Sequence, residues 1–329
     1  LSGTYIKYDN ILSSGGDLYR KFNPNDNEFL NIGVNYAYVY HKLFFFGETA
    51  LGSDNALATI NGFQYQLTSE ARLAIVQRYY DRSYFSPYAN GFREASTTQN
   101  ESGTYIGMVL TPHRKWLANL YFDVFRFPWL RYLVDAPSEG YEYLADIHYN
   151  HDRNTEFYFR LKHQTKDRNF SGNETALNQP LPESRTNYRL HLNKKMSARL
   201  TLASRAEFVT ANSEDKGLKT GWLLFQDIKY NFNNGIRLIG RYAFFSVEDY
   251  DARVFAYEND VLYAFSIPAF QDKGARYYLM LQFTLLENID IWIRWAQTHY
   301  FNSNTIGSGL NEIEGNVKSD FKLQLRWKF

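Results

Sequence analysis

The sequence predicts an all-β protein, a transmembrane antiparallel β-barrel of about 16 strands that forms a single domain over residues 1–329. Three observations support this fold class: strand-like alternation along the chain, short connections that alternate with long ones, and the composition. Tyr (27) and Phe (26) are abundant whereas Met (3) is rare, and aromatic residues are enriched in strands. Because no run of 18 or more apolar residues is present, a helical membrane protein is excluded.

The last nine residues give the clearest strand. Every odd position is apolar and every even position is polar, so a strand here has one apolar and one polar face. The apolar residues are Phe321, Leu323, Leu325, Trp327 and Phe329. A soluble β-sandwich also contains strands of this kind, but a strand that ends on a terminal Phe resembles the assembly signal of bacterial outer-membrane barrels. We therefore expect the barrel-assembly machinery to be a partner during insertion.

Upstream segments repeat the alternation and place long charged side chains on one common face. The core of a sandwich would not accept these charges, whereas the watery lumen of a barrel would. The predicted lumen-facing residues are Glu156, Arg160, Arg189, Arg276, Asp290, Arg294 and Arg326.

The connections alternate in length, as short periplasmic turns and long extracellular loops do in barrels of this class. The long ones fall near 10–29, 82–102, 128–138, 168–184, 212–218, 248–274 and 303–316, and the 51–55 connection is the shortest on that side. The predicted strands are 1–9, 30–40, 42–51, 55–67, 70–81, 103–111, 114–127, 139–151, 154–167, 185–194, 196–211, 219–232, 235–247, 275–286, 288–302 and 317–329. We expect 1–9 to be a partial first strand, and the complete ring to be larger if strands precede it.

Two aromatic-rich loops are the candidates for function. Loop 248–274 is predicted either to enter the lumen as a constriction or plug, or to contact a partner; the alternative is a loop that packs on its neighbours at the rim. A second cluster is predicted either to constrict the lumen or contact a partner, or to belong to the aromatic girdle in the headgroup layer. The candidate residues are Tyr250, Arg253, Tyr257, Glu258, Asp260 and Tyr263 in the first loop, and Phe127, Trp129 and Arg131 in the second.

The sequence gives no sign of catalytic, metal-binding or nucleic-acid-binding chemistry. The 36 basic and 35 acidic residues give no overall field that would attract nucleic acid. The acidic residues of loop 248–274 do not follow the spacing of a calcium-binding loop, and the seven histidines have no metal-ligand spacing. Because no nucleophile elbow or phosphate loop is present either, we expect no metal, no cofactor and no enzymatic activity.

Three motifs resemble a family of large outer-membrane proteins of Bacteroidota, usually labelled as helix-hairpin-helix proteins. They are FRFPWLRY at 125–132 with the following Asp135-Ala136-Pro137, YENDVLYAFS at 257–266, and IGSGLNEIEGN at 306–316. The resemblance implies an outer-membrane location and a barrel fold, and it runs from about residue 28 to the end. It implies no active site. Because this sequence shows no helix-hairpin-helix segment, DNA binding is not carried over.

Two functions therefore compete at the level of sequence. The first is a pore for small hydrophilic solutes with a loop-constricted lumen, since barrels of this size can leave an aqueous channel. The second is a non-enzymatic subunit of an outer-membrane machine for secretion, assembly or uptake. Outer-membrane lipid and lipopolysaccharide are expected partners in either case, and other outer-membrane or lipoprotein subunits are expected in the second.

Overall fold

A computed structural model of the chain describes residues 1–170, 178–232 and 235–329. Its strands are β1 (Ser2–Lys7), β2 (Glu28–Tyr40), β3 (Leu43–Leu51), β4 (Leu57–Gln66), β5 (Ala71–Tyr80), β6 (Glu101–His113), β7 (Trp116–Phe127), β8 (Ser138–Asp152), β9 (Thr155–Asn169), β10 (Pro180–Lys195), β11 (Leu200–Ser213), β12 (Gly217–Asn231), β13 (Arg237–Val247), β14 (Val254–Phe255), β15 (Ala269–Phe270), β16 (Lys273–Leu286), β17 (Ile289–Tyr300), β18 (Thr305–Ile306), β19 (Ile313–Glu314) and β20 (Val317–Trp327). Short 3-10 turns lie at Leu18–Arg20, Ser53–Asn55, Tyr250–Ala252 and Gly309–Asn311.

Sixteen of these strands form one sheet in chain order, from β1 to β13 and then β16, β17 and β20. The strand pairs with a described register are antiparallel, as neighbours joined by direct connections must be. Each strand corresponds to one of the 16 predicted segments, so the predicted strand count is confirmed. The two remaining pairs, β14 with β15 and β18 with β19, are small hairpins inside long loops that the alternation did not reveal.

The alternation of short and long connections is confirmed at most of the described connections. It is wrong between β11 and β12, where the predicted long connection 212–218 is a turn of three residues, 214–216, because the two strands extend into the predicted loop. Turns of a few residues follow β2, β4, β6, β8, β10 and β16, and longer connections follow β1, β5, β7, β13 and β17. The short 51–55 connection is the 3-10 turn Ser53–Asn55. Residues 171–177 of the predicted loop 168–184, and the predicted turn at 233–234, lie outside the described residues.

The strands have two chemically different faces, here called the polar face and the apolar face. On β17 the alternate residues Asp290, Trp292, Arg294, Ala296 and Thr298 are buried on the polar face. The apolar side chains that were predicted as the assembly signal, four on β20 and Phe329 just after it, are all more than 60% exposed. These strands expose Phe, Leu and Trp on one face and bury charged residues on the other. A strand of a soluble sandwich does the opposite, whereas a strand with lipid on one side has this pattern.

The chain divides into two compact units. Unit 1 comprises residues 1–146, 162–184 and 212–217, and unit 2 comprises 147–161, 185–211 and 218–329. In unit 1, Ala56, Ala58, Tyr80 and Tyr84 form an apolar cluster. In unit 2 a larger cluster joins residues of β11, β12 and β13 to residues of the loop that follows β13. Within the described ranges, no helix combines the length and the apolar character needed to cross a bilayer.

Candidate functional site

Loop 248–272, between β13 and β16, folds onto the polar face of unit 2. Its residues Ala252, Val254, Ala256 and Phe270 are buried in the apolar cluster with Leu223, Phe225 and Phe245 of the strands. A 3-10 turn, in which the Asp249 side chain accepts a hydrogen bond from the Asp251 amide, and the β14–β15 hairpin give the loop its own structure. The apolar residues of this loop therefore serve as packing groups, which explains its unusual composition.

A glycine in β12 allows the loop to approach the sheet closely. A Cβ atom at Gly221 would collide with the carbonyl oxygen of Ala252. Only glycine can occupy a strand position where another backbone comes this near. The sequence of β12 is thus adapted to receive the loop.

Glu258 is the main ionic anchor of the loop. Its carboxylate is fully buried and accepts two hydrogen bonds from Arg276 of β16, at 2.8 and 2.9 Å. It accepts a third from Nη2 of Arg294 of β17, at 2.5 Å. The contact with Arg276, in which two guanidinium nitrogens donate to the two carboxylate oxygens, is among the strongest polar contacts that a protein forms. A buried carboxylate requires such partners, because an uncompensated buried charge destabilises the fold by several kcal/mol, on the order of 3–5.

Residues on both sides of Glu258 are held by further cations. Arg241 of β13 donates to the carbonyl oxygen of Tyr257 at 2.7 Å, while two other contacts fix its guanidinium on Asp227. Nε of Arg294 donates to the carbonyl oxygen of Asn259 at 3.0 Å. The segment 257–259 is therefore bound through its backbone as well as through Glu258.

Cations also bind the loop immediately after this segment, at Asp260, and before it, at Asp251 and Arg253. Lys322 of β20 donates to Asp260 at 2.5 Å. Arg185 of β10 donates to the carbonyl oxygens of Asp251 and Arg253. Cations from strands as far apart in the sheet as β10 and β20 thus hold one loop, and the loop crosses the polar face between them.

The aromatic tip of the loop stays exposed. Tyr263 is 88% exposed and Phe265 is 77% exposed, and the Phe265 ring contacts the ring of Tyr257 at 5.6 Å between centroids. Tyr250 is also exposed, with the Arg253 guanidinium 3.9 Å from its ring centroid. The predicted contact residues of this loop thus divide into two sets. Glu258 and Asp260 bind the sheet, while Tyr250, Tyr257 and Tyr263 remain exposed.

In unit 1, loop 81–100 between β5 and β6 is held by a second buried charge cluster. Arg78 of β5 is fully buried, and it donates to Glu101 of β6 at 2.6 Å and to Asp123 of β7 at 2.8 and 3.1 Å. The Glu101 carboxylate also accepts from the backbone amides of Glu94 and Ala95 in the loop, at 2.7 to 3.0 Å. One carboxylate thus joins the loop to the strand arginine.

Glu94 gives loop 81–100 a further contact with the polar face. Lys166 of β9 forms an ion pair with Glu94, and Gln164 donates to the same carboxylate oxygen at 3.3 Å. Burial raises the pKa of Glu94, although the neighbouring Lys166 acts in the opposite direction.

The predicted cluster Phe127, Trp129 and Arg131 is used inside unit 1. Phe127 is only 1% exposed, so it is available neither to a partner nor to a lipid girdle, and the partner and girdle interpretations of that residue are wrong. Trp129 packs edge-on against Phe22, and its indole nitrogen donates to the Leu18 carbonyl oxygen at 3.2 Å. Arg131 stacks 3.8 Å from the Phe127 ring centroid. The cluster therefore joins the loop after β1 to the loop after β7.

Four of the other predicted lumen-facing residues form separate charged contacts, while the Arg160 guanidinium lies 5.8 Å from the ring centroid of Tyr158. Arg326 and Asp290 pair near the short turn between β16 and β17, and Arg189 pairs with Glu207 at 2.7 Å. Glu156 contacts His148 at 2.8 Å. Among the described residues, the structure thus brings four of the seven predicted residues together in pairs, Arg276 with Arg294 on Glu258, and Arg326 with Asp290. That the polar face lines a lumen remains a prediction.

Sequence reasoning missed Arg78, Glu101, Asp123, Arg241 and Lys322. The available signal was weak but real, since each is a charged residue at the alternating polar position of a strand. Which of them meet depends on strand register, and alternation alone does not distinguish registers that differ by two residues. Within the described ranges, no three His, Asp or Glu residues are grouped so that they could hold a metal ion.

No protein-family model matches the chain, and no curated protein matches it. Solved structures resemble it in fold at very low identity. The FpvAI–pyocin S2 complex matches with a TM-score of 0.55 at 10% identity, over 92% of this chain and 49% of that one. The copper transporter OprC matches with a TM-score of 0.51 at 11% identity, over 90% of this chain and 56% of that one.

The siderophore receptor PirA from Acinetobacter baumannii matches with a TM-score of 0.49 at 10% identity, over 91% of this chain and 55% of that one. The chain thus spans about half the length of these proteins. At such identities the similarity shows the fold alone. Together with the 16-stranded antiparallel sheet, it confirms the predicted fold class, the outer-membrane β-barrel.

Proposed function

We propose that the protein is a non-enzymatic outer-membrane pore for small hydrophilic solutes, in which loop 248–272 narrows the passage. The observation that carries this proposal is the way in which the loop is bound. Arg185, Arg241, Arg276, Arg294 and Lys322 hold it against the polar face from five different strands. A loop that only closed a turn at the rim would not need cations from so much of the sheet.

Two further points support a transport function. The polar face of unit 2 has charged side chains at many alternate positions, which suits contact with water and with polar solutes. The solved structures with the same fold include a copper transporter, OprC. From these we propose transport as the class of activity, and we carry over no solute.

Conductance of the purified protein in a planar lipid bilayer tests the proposal. Replacing Glu258 by Gln removes the charge that Arg276 and Arg294 share, so the loop should detach locally while the strands stay paired. We expect a single-channel conductance at least twofold above that of the wild type. The matched control is Glu312→Gln, in the exposed loop after β17, which should leave the conductance unchanged.

The outcomes separate clearly. If the wild type and the Glu258→Gln variant are both folded and neither conducts, the protein is not a pore. A conducting protein in which Glu258→Gln and Glu312→Gln behave alike would show a pore that loop 248–272 does not narrow.

A second candidate function is that of a subunit in an outer-membrane secretion, assembly or uptake complex. The exposed Tyr263 and Phe265 favour it, since large aromatic residues are enriched at the centres of protein interfaces. Native mass spectrometry of the protein, extracted from its own membrane in mild detergent, distinguishes the two functions. A species that reproducibly carries other chains, lost on Tyr263→Ser, would favour the complex.

We further propose the outer membrane of a bacterium as the location, with lipid and lipopolysaccharide around the apolar face. The exposed apolar residues of β20, together with Phe329, would then serve as the signal read by the barrel-assembly machinery. Membership of the Bacteroidota family with helix-hairpin-helix labels rests on the three sequence motifs. Expression in a bacterium followed by membrane fractionation tests the location.

A further inference from the structure

A group of hydrogen-bond donors lies on the polar face of unit 2, on β9, β10 and β11. Nη2 of Arg205 donates to the Tyr158 hydroxyl at 3.1 Å, and its Nε donates to Nδ1 of His191 at 3.4 Å. The Tyr158 ring lies 4.9 Å from the imidazole of His191, and the Arg160 guanidinium is 5.8 Å from the same ring. We call these four residues the Arg205 cluster.

Arg205 differs from the arginines around it because it has no carboxylate partner within the described part of the chain. Arg189 forms two hydrogen bonds with Glu207, and Arg241 forms two with Asp227. In the same described part, Nη1 of Arg205 makes no hydrogen bond either. A partly buried guanidinium in this situation keeps a full positive charge and a free donor.

The other members of the cluster can also donate. Because Nδ1 of His191 accepts from Arg205, the neutral imidazole has its proton on Nε2. The Tyr158 hydroxyl accepts from Arg205, so its own proton is available to another acceptor. The cluster thus combines a fixed positive charge with several donors, which is the chemistry that recognises a carboxylate or a phosphate group.

The position of the cluster follows from the strands. On β10, Arg185 holds loop 248–272, and His191 lies six residues further on, about 20 Å toward the short-turn end. Arg205 and Arg241 both contact the Phe225 ring, at 5.0 and 3.6 Å from its centroid, and Arg241 holds the Tyr257 carbonyl oxygen. The cluster therefore adjoins the bound loop, on its short-turn side.

We propose that the Arg205 cluster binds small anions, through a carboxylate or phosphate group, as they pass loop 248–272. This inference rests on the proposed pore and specifies its solute class. The charge and open donor of Arg205 attract and hold the anion, and Tyr158 and His191 orient the guanidinium toward it. The ion pairs of Arg189 and Arg241 leave those two arginines neutralised, so the selectivity is concentrated at Arg205.

The first test is ion selectivity in a planar bilayer, measured as the reversal potential across a tenfold KCl gradient. We expect the wild type to prefer anions, and Arg205→Gln to reduce the anion-to-cation permeability ratio at least threefold. Arg199→Gln removes the same charge from an exposed turn residue and should leave the ratio unchanged. A conducting protein in which both variants match the wild type would overturn the inference while leaving the pore intact.

The second test does not depend on conductance. Titration calorimetry of the detergent-solubilised protein with inorganic phosphate should give saturable binding that Arg205→Gln weakens at least tenfold. Arg205→Lys keeps the positive charge but loses the planar guanidinium, so its phosphate affinity should lie between those of the wild type and Arg205→Gln. If Arg205→Gln does not fold, Arg205→Lys takes its place in the test. Equal phosphate binding by the wild type and the folded variant, or no binding at all, would overturn the inference even if no pore is found.

Discussion

Loop 81–100 in unit 1 and loop 248–272 in unit 2 are both held on the polar face by buried ion pairs, but the charges are distributed in opposite ways. In unit 1 the main carboxylate, Glu101, belongs to a strand, and the loop contributes backbone amides to it. In unit 2 the carboxylate, Glu258, belongs to the loop, and the strands contribute arginines.

The difference determines what happens when each loop leaves. Without loop 81–100, Arg78 still has Glu101 and Asp123, so the charges on the strands remain balanced. Without loop 248–272, Arg294 loses both Glu258 and Asp260, and the partners that Arg276 keeps among the described residues are Thr298 and a more distant Asp320. The carboxylates of loop 248–272 thus neutralise cations on the strands beneath it. Release of the loop would expose a cationic surface there.

The largest effect is expected from breaking the charge cluster of unit 1 at its strand residue. Replacing Arg78 by Met leaves Glu101 and Asp123 buried without a cation, which should cost about 3–5 kcal/mol of unfolding free energy. Urea unfolding in detergent, followed by heat-modifiable migration on gels, measures it. The control is Arg72→Met, which replaces an exposed arginine on the same strand. If both variants lose an equally small amount of unfolding free energy, Arg78 does not have this role.

A packing change in unit 2 should have a somewhat smaller effect and leave every charge in place. Gly221→Ala forces a Cβ atom against the Ala252 carbonyl oxygen, and we expect a loss of about 1–3 kcal/mol. We also expect faster proteolytic cleavage within 248–272. A Cβ at Gly240 meets only ordinary contacts at 3.5 Å, so Gly240→Ala is the matched control. If the two variants are cleaved at the same rate, the loop does not rest on Gly221.

The attachment of loop 81–100 through Glu94 should depend on pH. Burial raises the pKa of Glu94, so the folded loop favours the protonated carboxyl, and its stability falls as the pH rises through that raised pKa. Lys166→Met removes the cation that lowers this pKa. The loop should then be less stable at neutral pH, by about 1.4 kcal/mol for each tenfold increase in the proton affinity of Glu94.

Hydrogen exchange of residues 81–100 at pH 4 and pH 7 measures this dependence. The variant should lose protection at pH 7 and should resemble the wild type at pH 4. Lys42→Met, in the exposed turn after β2, serves as the control. Equal protection of wild type and Lys166→Met at pH 7 would contradict the prediction.

The smallest effect on stability is expected at the tip of loop 248–272. Tyr263 is largely exposed, so Tyr263→Ser should change the unfolding free energy by less than about 0.5 kcal/mol. The same variant should leave conductance unchanged if the protein acts as a pore. A loss of stability above 1 kcal/mol, measured by the same urea unfolding, would show that the tip packs against another part of the molecule.

The strands were predictable because their signal is local. In β20, apolar residues at Phe321, Leu323 and Leu325 alternate with Lys322 and Gln324, and this period of two needs no knowledge of distant residues. The lengths of the connections can also be read from the sequence, so the alternation and the connection lengths together predicted the number and order of the strands. The hairpins β14–β15 and β18–β19 were missed because strands of two residues show no periodicity.

The charge partners were not predictable in the same way. The sequence marked Glu258, Arg276 and Arg294 as candidates, but it assigned the glutamate to a constriction or a partner and the arginines to a lumen wall. Phe127 was misplaced for a related reason, since an aromatic residue at a strand end has the same pattern whether it faces lipid or a folded loop.

The sequence by itself therefore determined the class of fold, the strand order and the chemical character of each face. The tertiary structure decided which loop lies on which strand, which charges neutralise one another, and that Arg205 has no carboxylate partner among the described residues. The physical reason is the sequence separation over which each kind of information acts. Alternation acts between adjacent residues, whereas an ion pair such as Glu258 with Arg294 joins positions 36 residues apart. Such a pair forms only after strand register and loop packing have been fixed.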